Sequence, residues 1–305
     1  MIVKDQLIIV RYGEISLKSK YVRKKFENIL IKNIRNALKS KDIDCEIKKE
    51  RGRIFLLTDQ IDKSLSILQR IFGIVSFSPC IKIESNPEEI SKKAIIYAKD
   101  NLKKDMSFAV RTNRTGKHSY TSQDVSKKIG SDIIENFKLK VDLTNPDYEL
   151  FIDIRENDTY IFDRKIKGPC GMPVGSQDKI ISIVDNDFSL LSSWYLLSRG
   201  CKTVFYVSKK FGFKKLESFC ENWFVFKDFI LFDEKNDFFL NINEISKNKG
   251  CKAVVSAVYD LEKEISYIKK FKKNIDNPVL YPLISMNKDE INERIKELGL
   301  VIWIF

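Results

Sequence analysis

Gly168-Pro169-Cys170-Gly171-Met172-Pro173-Val174-Gly175 places three glycines and two prolines in eight positions. Such a density of breakers marks a linker or hinge, and the chain reads differently on its two sides. Behind it, short apolar runs alternate with helical periodicity. Strands are expected at 180–184, 202–207, 228–232, 252–257 and 278–280, and helices at about 188–199, 213–224, 241–249, 260–273 and 287–298. Regular βα alternation with apolar strands predicts an open, Rossmann-like parallel sheet covered on both faces. Ligands of such sheets sit beyond the carboxyl ends of the strands, so a nucleotide would be sought at the loop after the first strand, Asp185-Asn186-Asp187-Phe188-Ser189.

Ahead of the breaker-rich stretch the order is strand (Gln6 to Arg11), helix (about Ser19 to Leu38), strands Cys45 to Lys49 and Arg53 to Leu57, helix (Ile61 to Phe72) and strand (Ile74 to Phe77). That β-α-β-β-α-β order is the ferredoxin-like split motif. A second module starts near Asn86-Pro87-Glu88-Glu89, where a cap, a proline at the first helical position and first-turn acids signal a helix start. After this helix come a strand at Ser107 to Arg111, a basic loop from Thr112 to Tyr120 and a helix from Ser122 to Phe137. Strands Tyr148 to Arg155 and Thr159 to Arg164 close the module. The expected fold class is α/β throughout, with domains at 1–79, 80–167 and 179–305 and a linker at 168–178.

The 305 residues, 43% hydrophobic, suffice for two or three cores. No apolar run approaches the roughly 20 residues that span a bilayer, and Met1-Ile2-Val3-Lys4-Asp5 lacks signal-peptide character, so a cytoplasmic protein without membrane contact is expected. Six cysteines, at 45, 80, 170, 201, 220 and 251, form no Cys-x-x-Cys pair, which leaves no metal site in prospect and makes buried thiols the expectation. The net charge of +12 favours a polyanionic partner. It is uneven: residues 1–178 carry 34 Lys+Arg against 25 Asp+Glu (+9), the remainder 20 against 17 (+3). Within the front half, residues 11–40 hold nine basic and two acidic residues and 103–128 seven and two, two patches rather than a uniform tint.

Several motifs then fall in a familiar order. Arg11-Tyr12-Gly13-Glu14-Ile15-Ser16-Leu17-Lys18, Arg51-Gly52-Arg53-Ile54-Phe55 and Phe72-Gly73-Ile74-Val75-Ser76-Phe77-Ser78-Pro79 resemble motifs of the N-terminal ferredoxin-like domain of tRNA 4-thiouridine synthetases. Residues 80–167 look like the THUMP domain of that family, a module associated with tRNA recognition, and the stretch from Lys167 to Gly175 is similar to its bridge into a PP-loop pyrophosphatase domain. The resemblance implies tRNA as partner and, for active members, ATP-dependent adenylation of a uridine oxygen followed by its replacement with persulfide sulfur.

Against that pattern the back half departs. The family's phosphate loop reads Ser-Gly-Gly-x-Asp-Ser, with glycines that let backbone N–H groups close on pyrophosphate at a helix N-terminus. Asp185-Asn186-Asp187-Phe188-Ser189 is one residue shorter and has no glycine. Ser256-Ala257 stands where a Gly-Glu pair is expected and Tyr281 where an Arg is expected, and the sequence ends at Phe305, ahead of the position expected for the sulfur-handling cysteine. No catalytic residue is therefore assigned, and ATP and Mg²⁺ are expected as cofactors only if the chain is an active enzyme.

The loop from Arg111 to Tyr120 combines three cations with hydroxyl and amide donors suited to phosphate. Taken alone, it reads more readily as a solvated turn; the resemblance moves the reading to RNA contact. Candidate RNA-binding residues are Arg111, Arg114, Lys117, His118, Tyr120, Lys127 and Lys128, with Lys18 and Arg23 on the other patch. For His118 an incidental role or a hydrogen bond is favoured over base stacking. The leading expectation is a non-catalytic tRNA-binding protein that takes the acceptor region and 3′ end. The alternatives are a divergent ATP-dependent tRNA sulfurtransferase and a subunit that docks a separate tRNA-modifying enzyme.

Overall fold

The computed structural model describes residues 7–50, 52–233 and 237–300, so Gln6, Arg51 and the N-terminal residues read above for a signal peptide lie outside it. In chain order the first elements are β1 (Leu7–Arg11), a 3-10 turn at Glu14–Leu17, α1 (Lys20–Lys39), β2 (Glu46–Glu50), β3 (Arg53–Leu57), α2 (Ile61–Leu68) and β4 (Ser76–Glu84). There follow α3 (Pro87–Lys99), β5 (Ser107–Thr115), α4 (Ser122–Phe137), β6 (Lys140–Val141), β7 (Tyr148–Arg155), β8 (Asp158–Phe162) and β9 (Ile166–Lys167). The described chain forms two compact units. One comprises residues up to 11, 41–66 and 76–167; the other comprises 12–40, 67–75 and the residues from 168 on.

The first unit is organised by a nine-stranded sheet in the order β2-β3-β1-β4-β8-β7-β5-β6, with β9 on β4. β4 is longer than the expected strand at 74–77 because it serves two partners. Its first half pairs antiparallel with β1, from Ser76 opposite Arg11 to Cys80 opposite Leu7, and its second half with β8, from Ile81 opposite Ile161 to Glu84 opposite Asp158. Alternation along the strands then separates two faces. One face carries Phe108, Leu150, Ile152, Ile154 and Ile161 against Ile90, Ala94 and Ala98 of α3 and Val125, Ile129 and Ile133 of α4, residues at helical spacing. Each such fully buried large side chain contributes about 1.5–3 kcal/mol. The other face joins both modules through Ile9, Phe55, Cys80, Phe151, Tyr160 and Phe162, with Phe55 stacked on Tyr160 at 4.8 Å and Phe151 on Phe162 at 5.2 Å.

In the second unit, β10 (Lys179–Val184), α5 (Asp187–Ser198), β11 (Lys202–Ser208), α6 (Phe213–Asn222), β12 (Phe229–Phe232), α7 (Phe238–Lys249), β13 (Val254–Val255), α8 (Leu261–Asn274), β14 (Val279–Leu280) and α9 (Lys288–Leu298) alternate as expected. The five strands are all parallel in the order β12-β11-β10-β13-β14. Phe205 and Val207 of β11 face α5, α6 and α9, and Val204 and Tyr206 face α7 and α8, so the sheet is covered on both sides. The order reverses between β10 and β13, the point beyond whose carboxyl ends open α/β sheets generally bind their ligands.

The breaker-rich stretch is bonded on both flanks within this unit. Gly73 and Cys170 exchange backbone bonds with Cys170 and Ile74 at 2.8 Å, and Met172 and Gly175 donate to the carbonyls of Ser198 and Gly200, also at 2.8 Å. Gly171, at φ +73, lies so close that an added Cβ would stand 2.1 Å from the Ser198 carbonyl oxygen. The glycines therefore serve close backbone approach rather than slack.

Candidate RNA-binding loop and nucleotide loop

β5 runs past its expected end at Arg111. It pairs in parallel with β7 over eight positions, from Phe108 opposite Tyr148 to Thr115 opposite Arg155, and this places the basic loop at the carboxyl end of the strand. Gly116 follows at φ +108, where an added Cβ would lie 2.8 Å from Cγ of Glu156. The loop thus leans on the β7–β8 turn. Arg114 Nη1 donates to the Gly116 carbonyl at 3.2 Å and reaches His118 Nδ1 at 3.3 Å, and His118 Nε2 lies 2.7 Å from the Glu156 carbonyl oxygen. The Tyr120 hydroxyl donates to the Ser85 carbonyl at 2.8 Å, and its ring is 5.2 Å from that of His118. Burial raises the Tyr120 pKa while the charge of Arg114 opposes the rise.

Thr121 then caps α4. Its hydroxyl accepts from Asp124 N at 3.2 Å and the Asp124 carboxylate accepts from Thr121 N at 2.8 Å, a closed capping box. Lys117, Lys127 and Lys128 are exposed, Lys128 beside Asp132 at 3.3 Å.

The structure gathers Arg114, His118 and Tyr120 into one network, but treats the other candidates differently. Arg111 sits in the sheet, donating to Glu149 at 2.9 Å and to the Leu143 carbonyl at 2.8 Å. It borders an open hollow of about 580 Å³ with Asn113, Glu149, Phe151, Asp163 and Lys165. Lys165, its ammonium 4.0 Å above the Phe151 ring and its pKa lowered first by burial, was not singled out from sequence, because it lies 54 positions from Arg111 in a short polar connection. Lys18 is exposed and Arg23 half-buried, and both belong to the other unit. Arg11, the first residue of the opening motif, is largely buried: its guanidinium lies 4.6 Å from the Phe162 ring centroid, donates to Ser78, and is lowered to about 10, mainly by burial.

The loop after β10 is closed on itself. Asn186 caps α5, its side chain accepting from Ser189 N at 3.1 Å. The Ser189 hydroxyl, fully buried, accepts from both Asp185 N and Asn186 N at 3.1 Å and donates to the Asn186 carbonyl. None of residues 185–189 adopts a positive φ. Asp187 pairs with Lys215 at 3.2 Å, and Phe188 packs edge-on against Tyr259 at 5.3 Å. Ser256, in place of the expected glycine, hydrogen bonds Tyr267, whose hydroxyl is pushed up to about 12 by burial and then by the charge of Asp185.

An ATP pyrophosphate needs inward-pointing N–H groups in a wide loop. Here the N–H groups of Asp185, Asn186 and Ser189 already have protein partners, so the residues present do not fit that group.

Thiols depart from the sequence expectation: Cys80, Cys220 and Cys251 are buried, Cys45 and Cys201 are half-buried and Cys170 is exposed. Burial pushes Cys220 up to about 12, far from a reactive thiolate. Among the described residues, no helix is long and apolar enough to cross a membrane.

Residues 7–78 match the model of the ThiI ferredoxin-like domain and residues 84–163 that of the THUMP domain. A probable tRNA sulfurtransferase of Methanobrevibacter smithii is 30% identical over an alignment covering 96% of this chain and 86% of the relative. One from Methanocaldococcus jannaschii is 31% identical over 96% and 87%. Among solved structures, PH1313 from Pyrococcus horikoshii superposes with a TM-score of 0.83 at 30% identity, covering 96% of this chain and 99% of that one. A 4-thiouridine synthetase in complex with RNA and bound ATP gives 0.75 at 25% identity, covering 96% and 85%.

Proposed function

The chain belongs to the tRNA sulfurtransferase family, and from that premise we propose that it is a cytoplasmic tRNA-binding protein that grips the acceptor region and 3′ end through its ferredoxin-like and THUMP modules without using ATP at its own β10–α5 loop. The observation that carries the second half is the pair of bonds from Asp185 N and Asn186 N to the Ser189 hydroxyl. Asp185 and Asn186 are exposed but Ser189 is fully buried, so a phosphate that took over their N–H groups would leave the Ser189 hydroxyl without its two donors, and would have to displace a satisfied network rather than fill an open one. The first half is supported by the THUMP match and by the cations where β5 runs into the loop before α4, Arg114 half-buried in the strand and Lys117 exposed in the loop.

A second reading, a divergent ATP-dependent sulfurtransferase that makes 4-thiouridine in tRNA, is favoured by the relatives: the likeness to probable tRNA sulfurtransferases runs through the parallel sheet as well as the front modules. The two readings part at the nucleotide. The first expects no ATP binding tighter than millimolar and no pyrophosphate release, with or without Mg²⁺ and tRNA, whereas micromolar affinity by calorimetry would install the second. Fluorescence anisotropy with one tRNA, beside the same tRNA lacking its 3′ overhang, tests the grip. Weaker binding without the overhang is expected; equal affinity would reject recognition of the 3′ end.

A further inference from the structure

His118 is held between two groups of fixed hydrogen-bonding character. The Glu156 carbonyl, 2.7 Å from Nε2, can only accept, so Nε2 carries the ring hydrogen. The Arg114 guanidinium, 3.3 Å from Nδ1, can only donate, so Nδ1 presents its lone pair. The imidazole is thereby specified as the neutral Nε2–H form, with one edge anchored to the β7–β8 turn and the other supplying an acceptor to Arg114.

The anchor is itself braced. Glu156 N donates to the Thr115 carbonyl at 3.1 Å, Ser85 N to the Asn157 carbonyl at 3.0 Å, and the Tyr120 hydroxyl to the Ser85 carbonyl. Among the described residues, the acceptor that orients Arg114 apart from His118 is the Gly116 carbonyl at 3.2 Å, in the loop itself.

We propose that His118 is a positioning residue for RNA binding: it touches no nucleotide, but holds the Arg114 guanidinium in the direction that meets a phosphate. This rests on the tRNA grip proposed above and adds to it a division of labour within the loop. A free arginine side chain samples many rotamers and must lose that freedom on binding; one already aimed by an acceptor on a braced turn loses less. The same geometry excludes the imidazole as a direct phosphate donor, because its one hydrogen is engaged by Glu156.

The experiment is a double-mutant cycle on the full chain, with Arg114→Ala, His118→Ala and the double variant measured by anisotropy against one tRNA at several salt concentrations. Arg114→Ala is expected to weaken binding and to flatten the log–log salt slope by about one phosphate contact, 0.7 to 0.9. His118→Ala is expected to weaken binding about three- to tenfold in the Arg114 background and less than twofold in the Arg114→Ala background. Two further variants keep the result independent of loop collapse. His118→Asn retains an acceptor where Nδ1 stands and is expected to bind nearly as the unaltered protein does, whereas His118→Gln retains only the donor toward Glu156 and is expected to follow His118→Ala.

Equal losses from His118→Ala in both backgrounds, or rescue by Gln rather than Asn, would overturn positioning while leaving the grip intact. An Arg114→Ala protein with unaltered affinity and slope would overturn this proposal and leave a tRNA grip that does not use Arg114, whereas no salt-sensitive tRNA binding by the unaltered chain would overturn the grip itself.

Discussion

Two loops in this chain leave the carboxyl end of a parallel strand and enter a helix through a capping box, and they use similar backbone groups to opposite effect. After β5 the cap at Thr121 comes six residues beyond the strand end, with Lys117 exposed among the intervening residues and Arg114, half-buried, at the penultimate position of the strand. After β10 the cap at Asn186 comes two residues beyond the strand end, and Ser189 folds back onto the N–H groups of the turn. The long loop is braced from outside, by the β7–β8 turn, which leaves its cations available; the short one is braced from inside, which leaves little for a ligand. Loop length and the identity of the bracing partner, more than the presence of a helix N-terminus, separate a candidate binding loop from a closed one.

The largest expected effect breaks the open loop. Arg114→Glu with Lys117→Glu should weaken tRNA binding at least tenfold and flatten the salt slope by roughly one to two units. Lys288→Glu at the start of α9 should do little. This pair is a cleaner choice than one that includes Arg111, whose reversal would set a second carboxylate beside Glu149. Filter binding at several salt concentrations decides it, and a double variant that binds like the unaltered protein would move the grip elsewhere.

The next effect opens the closed loop. Ser189→Ala removes the acceptor for Asp185 N and Asn186 N in a fully buried position, which should lower unfolding stability by about 1–2 kcal/mol in urea titrations. No micromolar ATP affinity should appear in exchange, because the loop remains short and without glycine. A variant of unchanged stability, or one that gains ATP binding, would show that the hydroxyl does not close the site.

Much of this contrast was legible in the sequence, and the rest was not, for identifiable reasons. The helix from Ser122 to Phe137 was readable because Val125, Ile129 and Ile133 recur every fourth residue, a stripe that a helix buries on one side, whereas a strand would put polar Lys127 and Ser131 on the same face. The parallel sheet was readable from its apolar strands, although β13 proved to be two residues where six were expected. The extension of β5 through Thr112-Asn113-Arg114-Thr115 was not, since a polar run gives no apolar alternation and its pairing partner lies some 40 residues away. The absent glycines marked the loop at Asp185, but the Ser189 bonds that close it follow from three-dimensional placement. For the same reason His118 could be named but not given a role: its partner carbonyl is 38 residues distant.

A smaller effect sharpens the bracing of the open loop. Gly116→Ala would place a Cβ 2.8 Å from Glu156 Cγ at φ +108, a conformation that costs an L-residue about 1 kcal/mol or more. Thermal melting should show that loss, with weaker tRNA binding beside it. If stability falls while affinity is unchanged, the β7–β8 turn supports the fold but not the grip.

The smallest effect distinguishes the two capping boxes by their chemistry. The Asp124 carboxyl is held below the usual carboxylate range, first by the backbone N–H of Thr121 and then by its hydroxyl. A group whose folded pKa is depressed contributes stability that is present above its unfolded pKa, about 3.9, and is lost as pH falls through the folded value. Asp124→Asn should therefore melt below the unaltered protein near pH 6, and the gap should close as both are taken toward pH 2. Ser189, which closes the other box, does not ionise in this range, so the deficit of Ser189→Ala should stay level over the same interval. Melting curves at several pH values compare the three proteins directly. A gap for Asp124→Asn that widens on acidification contradicts the sign of the shift, and one that stays constant assigns the Asp124 contribution to shape rather than charge.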